Sequence, residues 1–519
     1  MKTRKVLSIL LAVIFVICIF SGCGKNQGTD NPDASEQSGS VAATNVKLLY
    51  CSNDTFNPYT LITKVNMELC QLLYEPLIKL NNNFEPIYAL AKDSSANGNV
   101  WTVNLKSAKF SDGTTVTGED IIYSFNLAKK SAYFSSSLAH VSSISSTEST
   151  VTFTLSYNDA FFINVLDFPI IKKDSDNIRN EDSVLAPPIG AGRYVLNQDQ
   201  TQLVRNASYF GTAPRYETIS LINAPDSESV AHYVEVGATD FYYANINDGH
   251  IIRMDGKKYN INQNRLIYMG MNLKLDIFKE VKVRYALSAS IDRNKIVTSA
   301  YYGNALSATG PFTPVWSQVG NYQTIETSAN NKIAIENLEQ IGYNILDDSG
   351  FRKKNNGSKL SFSLLINSEN ASQVLAGDLI ASQLKEAGIQ IKINALPYSQ
   401  YLSALNSGNF QLYLAEVKIG NNFDISNLVI HGGSCAYGIP APTGNGEAPD
   451  TEKTTYSELN SIITKYREGN VSISEVITTV SAQMPFIPIC YRSGILFYSD
   501  SMGEIKEASS GDLFISLQS

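Results

Sequence analysis

His431 and Cys435 stand in the run HGGSC, and both residue types can bind transition metals. Two such ligands without a fixed second pair fall short of the four that a structural zinc site needs. Histidine is scarce, at four residues in the whole chain. The sequence has no G-x-S-x-G elbow and no H-E-x-x-H pair, so serine-hydrolase and zinc-protease chemistry both lack their residues. The expectation is no catalytic residue, no metal and no cofactor. Trp316 and Tyr437 suggest different chemistry: they are aromatic residues in Gly/Pro-rich loops. Such rings either line a pocket for a guest or cover the edge of a core.

The elements that must position such loops can be read from periodicity. Trp101, Val103 and Leu105 alternate with Thr102 and Asn104, the pattern of a strand with one buried face. Ser111-Asp112-Gly113 is a turn, and Thr117 ahead of Glu119 and Asp120 announces a helix with Ile121, Ile122, Phe125 and Ala128 as its apolar stripe. Strands are expected at 46–50, 151–155, 219–222, 266–272 and 410–415, and helices at 64–73, 230–237, 278–291 and 294–300. Alternation over 360–366, a helix over 372–387 with Leu375, Leu379, Ile380 and Leu384 apolar, Gly388 as its stop, and alternation over 389–393 make a βαβ unit. Parallel strands follow from that unit.

A chain of 519 residues is too long for one core. Its net charge of −8 argues against a nucleic-acid binder, which needs a basic face. Lys2, Arg4 and Lys5 precede an apolar run over 6–20, the layout of a signal peptide. Phe20-Ser21-Gly22-Cys23 then resembles a bacterial lipobox, which implies lipidation at Cys23 and anchoring to the outer face of the cell membrane. Residues 24–44 are polar and Gly/Ser-rich, a flexible tether. Of the remaining cysteines, Cys51 with Cys70 or Cys435 with Cys490 are possible disulfides; four buried thiols are the favoured reading.

The ordered set Tyr74-Glu75-Pro76-Leu77, Pro86 with Ala89-Leu90-Ala91, Lys109 to Thr114 and Thr117 to Ser124 resembles the signature region of bacterial extracellular solute-binding proteins of family 5, the oligopeptide, dipeptide and nickel receptors of ABC importers. PPIGAGRY over 187–194, RNASYFG over 205–211, VKVRYALSASIDRNKIV over 281–297 and MPFIPICY over 484–491 extend the resemblance. It implies an α/β, two-lobed, periplasmic-binding-protein-like clamp of class II, with an extra subdomain inserted in the first lobe. The expected division is 1–22 signal peptide and 23–44 tether. Residues 45–58, 186–265 and 489–519 form lobe I, with 59–185 inserted in it, and 266–488 form lobe II.

The resemblance also implies a site. Peptide-binding relatives carry, in the loop matching 420–427, an aspartate for the peptide α-ammonium. Here Asn421 takes that place, and Asp424 either replaces the charge or caps a turn. Asn422 belongs to the same loop; Asn53 and Phe56 lie in the cleft-proximal loop 51–59. Dipeptide receptors hold a carboxylate-binding arginine just after the strand matching 360–366, and 367–370 contains none. The expected partners are an oligopeptide or other small solute, ABC permease subunits and the membrane through the lipid, with no nucleic acid and a monomeric chain. The alternatives are a tethered peptide sensor or pheromone receptor, a receptor for a nickel chelate or another small solute, and, against the residue evidence, a secreted hydrolase. Arg284 is expected to be structural.

Overall fold

The computed structural model describes residues 45–179, 186–244, 252–441 and 450–518, the side chains of 450–456 excepted. The signal peptide, Cys23 and the tether lie outside the described residues.

The strand Val100–Leu105 buries alternate side chains, as its letters require. It pairs on one side with Ala91–Asn97 and on the other with Thr150–Leu155. The helix Gly118–Ala128 packs beside that sheet, with the Phe125 and Phe153 rings 5.9 Å apart. Asp120 fastens its start by accepting from the backbone N–H and hydroxyl of Thr117 at 2.9 and 2.8 Å. Ile122 is only partly buried; Ser124 is buried in the stripe instead, its hydroxyl donating to the Ile171 carbonyl.

The first core gathers this sheet with a second one, in which Val46–Tyr50 runs parallel to Thr218–Asn223. Beneath both lies a closed ion cluster. Lys79 Nζ is 2.7 Å from Glu75 and 3.0 Å from Asp512, and Arg193 donates to Asp512 with both terminal nitrogens. All four side chains are buried. The cluster ties the C-terminal stretch to the first core, and it explains Glu75 and Arg193 within the resemblance. Gly190 and Gly192 are explained by space: a Cβ on either would stand 2.1–2.2 Å from the Leu73 backbone.

The second lobe is built on the βαβ unit. Ser361–Asn367 runs parallel to Gln390–Leu396 and to Leu412–Lys418, with the helix Ala371–Glu386 between the first two in sequence. Gly388 takes φ +80°, the left-handed conformation that ends the helix. Leu375 does not face the core: it is 41% exposed, and Gln373 and Gln383 are buried beside Ala376, Ile380 and Leu384. Both glutamines bond to core backbone, Gln373 to the Leu414 carbonyl and Gln383 to the Asp292 carbonyl and N–H.

Two further expectations change. The helix expected at 278–291 is two helices, Asp276–Lys279 and Val281–Ala289, broken at Glu280. Buried Arg284 reaches back to the Phe278 and Lys279 carbonyls and across to that of Gln483, so it acts structurally by satisfying the interrupted turn. The helix expected at 230–237 is Ser227–Glu235, started by Asp226, which accepts from the Ser229 N–H at 2.8 Å.

Two long strands, Lys257–Met271 and Phe486–Tyr498, pass from one core to the other. They pair from Lys257 opposite Tyr498 to Gly270 opposite Phe486, with register shifts between Asn262 and Leu266 and between Ile267 and Tyr268. Ile261, Leu496 and Tyr498 belong to the first core, whereas Ile267, Met269, Ile487 and Ile489 belong to the second. The strand expected at 266–272 is therefore the far half of a 15-residue strand that crosses between cores. The four cysteines among the described residues are free thiols; three are buried and Cys435 is half-buried.

Candidate functional site

The loop after Leu412–Lys418 meets residues 159–167 side chain by side chain. Asn421 Nδ2 donates to Asp167 at 2.7 Å, and the Asn421 carbonyl accepts from Asn164 Nδ2 at 3.1 Å. Asn422 Nδ2 donates to Asp159 Oδ2 at 2.7 Å. Phe423, at φ +56° and with no exposed surface, stacks on Trp316 with the ring centres 3.7 Å apart. Phe84 stands edge-on to Phe423 at 5.8 Å and Phe161 edge-on to Trp316 at 5.3 Å. The stack is thus capped at each end by a ring from far earlier in the chain, and all four rings share one core. Trp101, the other tryptophan, donates to the Asp159 carbonyl at 3.2 Å.

The charges of this seam are set by burial. Desolvation pushes the Asp167 carboxyl up, and Lys418 and the Asn421 amide only partly offset it. Asp424 does two things: it accepts from the Ser426 N–H at 2.8 Å, capping the turn, and it lies 3.3 Å from Arg467 Nε. The Arg467 guanidinium in turn covers the Tyr157 ring at 3.8 Å, and its carbonyl accepts from the Ala160 N–H.

The structure therefore brings together Asn421, Asn422, Asp424 and Trp316. Trp316 is 3% exposed, so its ring fills the seam. Tyr437 is half-buried against Tyr413, the ring centres 5.8 Å apart. Phe56 is in the first core, stacked on Tyr50, and Asn53 is exposed on a loop held by Asp54 and Asn66. Among the described residues no group of three or more His, Cys, Asp or Glu is placed to hold a metal ion. His431 is exposed and its Nδ1 lies 2.9 Å from the Ile439 carbonyl.

A second polar constellation sits on the crossing strands and on Leu412–Lys418, which pairs with the first of them. Glu416 accepts from Arg265 Nη1 and from Arg492 Nη1, each at 2.8 Å. Nearby, Gln263 donates to the Tyr243 hydroxyl at 2.8 Å. Gly494 leaves room for that ring; a Cβ there would stand 2.5 Å from it. Lys64 lies over the Tyr243 ring at 4.7 Å and 3.3 Å from Glu68, whose carboxyl desolvation pushes up to about 7 against the pull of Lys64. Periodicity passes over these residues. The signal that finds them is a charge inside an otherwise apolar strand: Glu416 in LYLAEVK and Arg492 in PFIPICYRSGILFY.

The family described as bacterial extracellular solute-binding proteins, family 5 Middle, matches residues 83–436. The chain belongs to that family. Among curated relatives, the oligopeptide-binding protein AppA of Bacillus subtilis is 24% identical over 439 residues, covering 79% of this chain and 80% of AppA. The periplasmic murein peptide-binding protein MppA of Escherichia coli is 23% identical over 420 residues, covering 74% and 77%. Among solved structures, unliganded open MppA superposes with a TM-score of 0.69 at 19% identity, covering 89% of this chain and 94% of that one. The nickel ABC transporter structure from Bacillus halodurans gives 0.67 at 20% identity, covering 88% and 95%. As a family 5 solute-binding protein, the chain is an extracytoplasmic receptor component of an ABC importer, with the two-lobed clamp of its structural relatives.

Proposed function

We infer that this receptor carries an oligopeptide, held between the two lobes and handed to the permease, and that it catalyses no reaction on it. The observation that supports this most is the run of relatives named for peptide binding that align with most of the chain. Cys23 is the lipid attachment point and residues 24–44 the tether. Residues 59–185 are an insert in a first lobe made of 45–58, 186–265 and 489–519, and 266–488 make the second lobe. The passage of the long strands from one core to the other supports that division.

In this reading the loop 420–427 forms one wall of the cleft. Asn421 and Asn422 hold it to the first-lobe acids, and Asp424 fixes its shape through Arg467 and Ser426. Native mass spectrometry of protein purified from its own host tests the cargo class. Peptides of several residues released on unfolding are the expected result; a nickel chelate or a non-peptide solute would overturn it. Incorporation of labelled fatty acid into the wild type but not into Cys23→Ala tests the anchor.

A further inference from the structure

Among the described residues, one buried guanidinium nitrogen on the crossing strands has no hydrogen-bond partner. Arg492 is 3% exposed, and its Nη2 is buried without a hydrogen-bond partner. Its Nη1 takes one oxygen of Glu416, while Arg265 Nη1 takes the other. Two cations thus divide one carboxylate, leaving the trio with one positive charge in excess. The adjacent Lys64–Glu68 contact joins one cation to one carboxyl and supplies no spare anion. A buried charge without its own partner is strongly unfavourable, and a buried N–H without an acceptor adds to the cost. Structures keep such an arrangement where a further group completes it.

The position suits a cargo group. Arg265 and Arg492 lie on the two strands that pass between the cores, and both fall within the register shift, Arg265 as the last residue skipped between Asn262 and Leu266 and Arg492 as the one skipped between Ser493 and Tyr491. The Arg265 and Glu416 side chains are 30% and 20% exposed, so the trio has a solvent-facing rim with Arg492 as its floor. Tyr243, held by Gln263, lies close by.

We propose that Arg492, with Arg265, receives a carboxylate of the cargo, the terminal carboxylate of a peptide. This rests on the reading that the cargo is a peptide held between the lobes. The incoming carboxylate takes Arg492 Nη2, which is covered here and becomes reachable as the lobes part at the crossing strands. The planar guanidinium offers the two-point geometry that a carboxylate matches and an amide does not. The charge of the completed cluster falls to zero.

The test uses the full chain and a mixed-sequence pentapeptide library, once as free acids and once C-terminally amidated, with retained peptides quantified by mass spectrometry and affinities by calorimetry. Wild type is expected to prefer the free acids by about tenfold or more. Arg492→Met is expected to erase that preference, with free acids and amides retained alike. Glu416→Gln removes the competing carboxylate, so it is expected to raise free-acid affinity several-fold, a gain that a misfolded variant cannot show. Equal retention of both libraries by wild type overturns the proposal, as does a free-acid preference that survives Arg492→Met. If wild type retains neither library, the peptide reading fails, and the cargo recovered from the host decides. An anionic cargo lost by Arg492→Met sustains the arginine site, and a cargo without an anionic group overturns it.

Discussion

Two clusters in this molecule are built from the same side chains and do opposite things. In the first lobe, Glu75 and Asp512 face Lys79 and Arg193: two anions, two cations, all buried. On the crossing strands, Arg265 and Arg492 share Glu416 alone. Among the described residues each cluster leaves one buried guanidinium nitrogen without an acceptor, Arg193 Nε in the first and Arg492 Nη2 in the second, so the difference lies in the charge count. The balanced cluster fastens the chain's end to a core. The unbalanced one lies where the chain leaves that core. Charge balance, more than residue type or burial, separates scaffold from site here.

The largest effect should come from unbalancing the balanced cluster. Asp512→Ala strands Arg193 in the interior and leaves Lys79 with Glu75 alone, and it is expected to cost about 3–5 kcal/mol in denaturant unfolding. Burial works to raise the Asp512 carboxyl, but Lys79 and Arg193 outweigh it and hold it below the usual carboxylate range. Its contribution is therefore present above the unfolded-state value of about 3.9 and is lost as pH falls through the lower folded value. The acid limb of the wild-type stability curve should accordingly flatten in the variant. A loss under 1 kcal/mol would remove the contrast between the two clusters.

Glu68 sharpens the same contrast from the other side. Its folded value, pushed to about 7, lies above the unfolded one, so its ionised form is the disfavoured form. The cost appears as pH rises above about 4.3 and is complete once pH has passed the folded value. Glu68→Gln is expected to gain about 1–3 kcal/mol at pH 8 and nothing at pH 4. Unfolding curves with the same difference at both pH values would contradict this.

Smaller effects concern the loop. Asp424→Ala loses the pairing with Arg467 and the cap on Ser426, and should weaken retention of cargo by about 1–2 kcal/mol, read by calorimetry. Asp112→Ala breaks a pair with Lys172 in which both side chains are about a third exposed, and should change retention and stability by less than ~1 kcal/mol. Equal affinities for these two variants would take the loop 420–427 out of the cleft wall.

Local rules made much of the fold legible. The strand Val46–Tyr50 and the helix Lys64–Leu73 fall where alternation and the apolar stripe place them, and Asp292 caps Arg293–Ala300 as its type suggests. What escaped is what depends on distant partners. Asp512 and Arg193 are 319 residues apart, and no window of periodicity joins them. Gln373 and Gln383 are buried where a polarity stripe calls for Leu375, because each bonds to backbone from another element. The break at Glu280 is likewise satisfied by Arg284, on the next helix. At the site, Trp316 reads as a loop aromatic in the sequence, and only its stack with Phe423 shows which role the ring takes. Arg265 and Arg492 lie 227 positions apart and meet only because Glu416 comes between them.

Both tryptophans of the chain touch one short stretch of the first lobe, Trp101 through the Asp159 carbonyl and Trp316 through the Phe161 ring. One indole is anchored in the sheet beside that stretch; the other arrives on the opposing jaw. In the lobe division proposed above, parting of the lobes is expected to wet the Trp316 indole at its Phe161 edge and leave Trp101 dry. The receptor thus contains its own optical gauge, and a red shift in its ultraviolet emission would register each opening without any attached dye.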